Sequence, residues 1–118
     1  MRRLPVFIIF FLVPVVLTVS CGKTGAALQE PVDCSTVVNK NFAADINPII
    51  QSTCNVSGCH ATGSANGPGA LTNHAQVFSA RTAIRSAIAS GTMPQGTTLS
   101  ASQKNSIICW IDSGAPNN

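Results

Sequence analysis

The sequence predicts an all-α domain, from three observations. Apolar residues in the body recur three and four positions apart, one such stretch opens with a complete capping-box pattern, and no stretch reads as a strand. In order, Phe42, Ile46, Ile49 and Ile50 predict a helix over about 42–53, with Pro48 in its first turn or as a kink, because proline removes a backbone donor. A second piece, about 73–79, follows Thr72 as a candidate cap. A third, about 81–89, carries Ile84 and Ile88 and stops at Ser90-Gly91. The fourth begins at Ser100-Ala101-Ser102-Gln103, where the Ser100 hydroxyl can take an orphan amide while Gln103 reaches back. Ile107, Trp110 and Ile111 form its apolar stripe, and Gly114 followed by Pro116 ends it. Two loops, Ala61–Ala70 and Thr92–Leu99, flank the residues with chemistry to offer.

The chain of 118 residues has room for one small domain. Met1-Arg2-Arg3 and the apolar run from Leu4 to Val19 stand apart from it as a leader. Without that leader, Phe42, Phe78 and Trp110 are the only aromatics. A domain below about 100 residues with so few large side chains needs a staple, metal or cofactor. Length excludes a large enzyme with its own substrate domain. The net charge of +3 falls to +1 once Arg2 and Arg3 are removed, since five basic and four acidic side chains remain. No basic stripe marks a nucleic-acid partner.

A positive start, an apolar stretch shorter than the roughly 20 residues of a membrane span, and small residues after it predict a signal peptide over 1–20. The rival is an uncleaved anchor. Leu17-Thr18-Val19-Ser20-Cys21-Gly22 resembles the lipobox of bacterial lipoproteins, with Thr18 where Leu is usual. That resemblance implies lipidation of Cys21 and a protein tethered to a membrane on its exported side, periplasmic or cell-surface. The alternative is an ordinary signal with Cys21 free or disulfide-bonded. Residues 21–40 show no periodicity and read as a flexible tether, which leaves 41–118 as the domain.

Cys54-Asn-Val-Ser-Gly-Cys59-His60 carries the chemistry. Two cysteines followed directly by histidine are the attachment signature of c-type haem, usually with two residues between them; here there are four. Two thiols add to the two vinyl groups, and the adjacent imidazole is carried under the iron. Gly58 lets the longer loop turn tightly. Met93-Pro94, in the loop before the last helix, offers the second axial ligand. A His/Met pair is that of electron-transfer cytochromes, with the thioether raising the potential. The bland reading of Met93 is a gap-filler in a core.

Taken together, Asp45–Ile50, Cys54–His60, Gly91–Pro94, Leu99–Gln103 and Trp110–Ala115 resemble, in this order, a small single-haem cytochrome c domain of the kind found in bacterial lipoproteins. The resemblance covers roughly residues 41–116. It implies a small helical domain wrapped around one covalent haem c, attached through Cys54 and Cys59 and ligated by His60 and Met93. It also implies packing of the first helix on the last through Ile49, Ile50, Trp110 and Ile111. The expected function is single-electron transfer between redox partner proteins, without catalysis on a small-molecule substrate.

Cys34 and Cys109 fall outside the haem motif. Either they form a disulfide tying the tether to the last helix, as an exported protein allows, or Cys109 is a buried small hydrophobe and Cys34 is free. His74 reads as a surface or haem-edge residue, with bis-histidine ligation as the minor alternative. Two rival functions remain. One is a haem-free module stabilised by a disulfide or by zinc on Cys54, Cys59, His60 and His74. The other is a peroxidase-like or sensor haem domain, for which the few acids, Glu30, Asp33, Asp45 and Asp112, supply no visible acid–base pair beside the motif.

Overall fold

The computed structural model describes residues 31–118; the leader, Cys21 and the first part of the tether lie outside the described residues. Three helical runs make the fold, with no strand among the described residues. The first, α1, joins Phe42–Ile46, Asn47–Ile49 and Ile50–Cys54. The second, α2, is His74–Ser90, and the third, α3, is Ala101–Asp112. No helix among the described residues is long and apolar enough to cross a membrane.

Pro48 lies inside α1, and the turns on both sides of it are widened to five-residue spacing. Ile46 N–H donates to Asn41 C=O at 3.1 Å, and Asn55 N–H to Ile50 C=O at 2.8 Å. A proline cannot join a regular four-residue ladder, because it lacks the N–H and its ring crowds the carbonyl four residues back. The amides at the start of α1 are satisfied from two directions. Asn41 Oδ1 accepts from Ala44 N–H at 3.1 Å. From the far end of the chain, Asn118 accepts from Phe42 N–H through its side chain and from Ala43 N–H through its backbone, each at 2.8 Å.

The two pieces expected between Asn73 and Ala89 form one helix. Nothing at Ser79-Ala80-Arg81 breaks it, and Ala80, itself buried, completes the stripe Val77, Ala80, Ile84 and Ile88. Asn73 rather than Thr72 is the cap, accepting from Gln76 N–H at 3.1 Å. Gln76 reaches back to the Thr72 amide at 2.8 Å. The capping box of α3 is present in both directions, with Gln103 N–H to Ser100 Oγ at 3.2 Å and Ser100 N–H to Gln103 Oε1 at 2.9 Å.

The core lies where the three helices meet. Phe42, Ile46 and Ile50 of α1, the α2 stripe, and Ile107, Ile108, Trp110 and Ile111 of α3 share it, with Ile49 partly buried at its margin. The Phe42 and Trp110 rings are 5.4 Å apart, so α1 meets α3 through its first turns. Trp110 is fully buried, and its indole N–H donates to Pro116 C=O at 2.9 Å. The segment before α1 is fastened to this core. Val32 packs against it, and Cys34 is joined to the buried Cys109 of α3 by a disulfide.

Candidate functional site

Beside the core lies an open cavity of about 1000 Å³. Four segments wall it. The end of α1 and the turn after it contribute Thr53, Cys54, Val56, Cys59 and His60. The following loop adds Asn66, Pro68 and Leu71, α2 adds Ala83, Ile84, Ala87 and Ile88, and the loop before α3 adds Met93, Gln95, Thr97 and Leu99. Cys54, Cys59 and His60, and Met93 from 33 residues further along the chain, thus face one space. No Asp, Glu, Lys or Arg lines it among the described residues.

The turn that holds the cysteines is closed at its base by His60 N–H donating to Cys54 C=O at 3.1 Å. Inside it Cys59 N–H donates to Val56 C=O at 3.0 Å. Gly58 has φ +82°, a backbone that other residues rarely adopt, and this lets a turn with four intervening residues close. Both thiols are free and partly buried. Burial first, and the neighbouring Cys59 second, push the Cys54 thiol above its ordinary value.

His60 is buried, and its Nδ1 lies 2.9 Å from Gly69 C=O. A carbonyl can only accept, so Nδ1 carries a proton, and in the neutral ring the lone pair is on Nε2. Nε2 has no hydrogen-bond partner among the described residues. Every buried side-chain nitrogen and oxygen among them does have one, so Nε2 is accessible, and His60 lines the cavity. The imidazole is held as an oriented donor to whatever occupies the space. The backbone also pins it, Leu71 N–H donating to His60 C=O at 2.9 Å.

Met93 reaches the cavity from the end of α2. Gly91, at φ +72°, turns the chain back, its N–H donating to the carbonyls of Ala87 and Ile88. The amides of Thr92 and Met93 donate to Ala87 C=O at 3.0 and 3.3 Å. The Met loop is therefore folded onto the last turn of α2, whose next face is a cavity wall.

His74 lies elsewhere. Its Nε2 is 3.1 Å from Ala115 C=O, its ring stands edge-on to Phe42 at 4.6 Å, and it does not line the cavity. Bis-histidine ligation through His74 has no support in this placement. The four residues of the zinc alternative are likewise not together: Cys54, Cys59 and His60 line the cavity and His74 does not, and no group of three or more His, Cys, Asp or Glu is gathered around a point among the described residues.

Three features of the site were not read from the sequence. Asn66 and the Gly69 carbonyl brace the motif, and a backbone carbonyl carries no residue signature. Ala83 and Ala87 form a low wall, signalled only by small residues one turn apart on the Ile84/Ile88 side of α2. Comparisons of the chain with family models, with curated proteins and with solved structures find no match.

Proposed function

We propose that this protein is an exported, membrane-tethered c-type cytochrome that carries single electrons through one His/Met-ligated haem c. The observation that carries the reading is the gathering of Cys54, Cys59, His60 and Met93 around one cavity. The residues fit the group. The cavity, about 1000 Å³, lies at the upper end of the range for cofactor pockets. It offers two thiols, an imidazole nitrogen with a free lone pair, and a thioether. Its walls at Leu71, Ile84, Ile88 and Leu99 are apolar.

A haem c held there would supply one-electron redox chemistry. The chain's own residues do the rest. Cys54 and Cys59 would hold the group covalently, each thiol adding across a vinyl double bond with its sulfur on one carbon and its proton on the other, so that nothing is oxidised and nothing leaves. His60 supplies Nε2, and its Nδ1–H bond to Gly69 C=O fixes the ring and makes Nε2 a better donor. Met93 supplies sulfur, which favours the reduced state. The apolar walls exclude water and disfavour the more charged oxidised site. Export and lipidation at Cys21 rest on the leader and its lipobox-like end.

The test is the visible spectrum of the exported protein, oxidised and dithionite-reduced, followed by denaturing acid–acetone extraction. Sharp reduced bands from haem that stays on the polypeptide are expected. So is a weak band near the red end of the oxidised spectrum that disappears in Met93→Ala. Absence of a Soret band after expression with a haem-maturation system overturns the reading.

A further inference from the structure

We infer that Asn66 is the positioning residue that aims the Cys59 thiol, and so makes the lengthened Cys-x4-Cys turn competent for its second thioether. The inference rests on the cytochrome reading above. The Asn66 side-chain NH2 donates to Gly58 C=O at 2.9 Å and to Cys59 C=O at 3.1 Å. Those carbonyls belong to the two peptide planes on either side of the Cys59 α-carbon. A peptide is planar, so the two planes leave one soft dihedral each around that carbon. Holding both with one amide group sets φ and ψ of Cys59, and with them the direction of its Cα–Cβ bond. Asn66 is itself fixed: its N–H donates to Ser64 Oγ at 3.2 Å, Ser64 Oγ–H donates to Cys59 C=O, and Gly69 N–H donates to Asn66 C=O. Gly69 then accepts from His60 Nδ1, so one loop holds Gly58, Cys59 and His60 in succession.

Cys54 is placed differently. It is the last residue of α1 and takes its direction from the helix. Cys59 follows Gly58, at φ +82°, in a turn with two residues more than the usual motif, so its direction is the one that needs an outside hold. Two acceptors facing one side-chain group require a donor fork there. Asn provides it; Asp, of the same shape, would place carboxylate oxygens against carbonyl oxygens.

The experiment compares wild type, Asn66→Asp and Asn66→Ser, each expressed with a haem-maturation system. Attachment is read at each cysteine by mass spectrometry of proteolytic fragments after alkylation of free thiols. For both variants the expected result is haem joined through Cys54 with Cys59 alkylated. The doubly attached fraction should fall roughly threefold to tenfold, the worth of about one net hydrogen bond. The reduced visible band should move to longer wavelength, because an unreacted vinyl stays conjugated with the ring. Asn73→Asp, the same chemical change at the α2 cap, should leave attachment at wild-type level, since Asp caps as well as Asn. If Asn66→Asp yields no folded protein, Asn66→Ser, which removes the fork without adding charge, gives the reading. Wild-type double attachment in the folded variants overturns this inference alone. A wild type that takes up no haem overturns the cytochrome reading, and this inference with it.

Discussion

Removing the Cys34–Cys109 disulfide should cost more stability than any other single change outside the core. The bridge joins residues 75 apart in sequence, so the unfolded chain it restrains includes nearly all of the described domain. Loop-closure entropy for a ring of that size comes to about 4.5 kcal/mol at 25 °C. Small domains hold about 0.05–0.15 kcal/mol per residue, so the bridge supplies a third or more of the whole. The double variant Cys34→Ser, Cys109→Ala tests this by urea unfolding followed by far-UV circular dichroism, with wild type and variant prepared in the same way. The expected loss is about 4 kcal/mol or more, since Cys109 is also buried and its truncation leaves unfilled space. Neither cysteine lines the cavity, so on the proposed cytochrome reading the visible spectrum of the folded variant should match wild type. A loss under about 1 kcal/mol would refute the argument, because the unfolded chain would then be no freer without the bridge.

Two further perturbations probe the helix ends. Arg85 and Asp112 form a two-pronged pair across α2 and α3, Nε to Oδ1 at 2.6 Å and Nη2 to Oδ2 at 2.9 Å. Hydrogen bonding from Arg85 foremost, with its charge adding, holds the Asp112 carboxyl below its ordinary range against the opposing effect of burial. A depressed folded value stabilises above the unfolded value of about 3.9 and is lost as pH falls through the folded one. The side chains are 45% and 39% exposed. Asp112→Asn should therefore cost under about 1 kcal/mol at pH 7, with the gap to wild type closing as pH falls below about 4 in acid titration of thermal stability. Gly91→Ala should cost about 1 kcal/mol in the same thermal assay, as a purely backbone effect, because φ is +72° and an added Cβ meets nothing within 4 Å. A neutral result there would mean the turn after α2 relaxes without strain.

Where the information was local, the fold was legible. The Ser100–Gln103 capping box is a contact between side chains and backbone three residues apart, so its four-residue pattern was enough to place the start of α3. The join between the pieces expected over 73–79 and 81–89 is one residue: Ala80 is a core residue in the structure, but a methyl group carries little apolar signal, so the sequence pattern reads as two helices. The widened turns of α1 follow from accommodating Pro48 within a helix that the core holds both before it, at Phe42 and Ile46, and after it, at Ile50, which no local propensity expresses. Its cap from Asn118 joins residues 76 apart in sequence, beyond the reach of any local pattern.

The candidate site divides along the same line. Thiol, imidazole and thioether are rare side chains with few roles, so their identities and order could nominate Cys54, Cys59, His60 and Met93 before any geometry was known. What holds them is made of common parts: a carbonyl at Gly69, an amide at Asn66, a left-handed glycine at 58, alanines at 83 and 87. Those residues are unremarkable in composition and decisive in position. The division has a physical basis. A ligand acts through the chemistry of its own atoms, which the residue type declares. A support acts through direction and distance, which arise only when Ser64–Leu71 folds back over Gly58–His60. The extra length of the cysteine turn makes that support matter more here. Each residue of that turn brings two soft dihedrals, and the hydrogen bonds from Ser64 and Asn66 restrain those around Cys59.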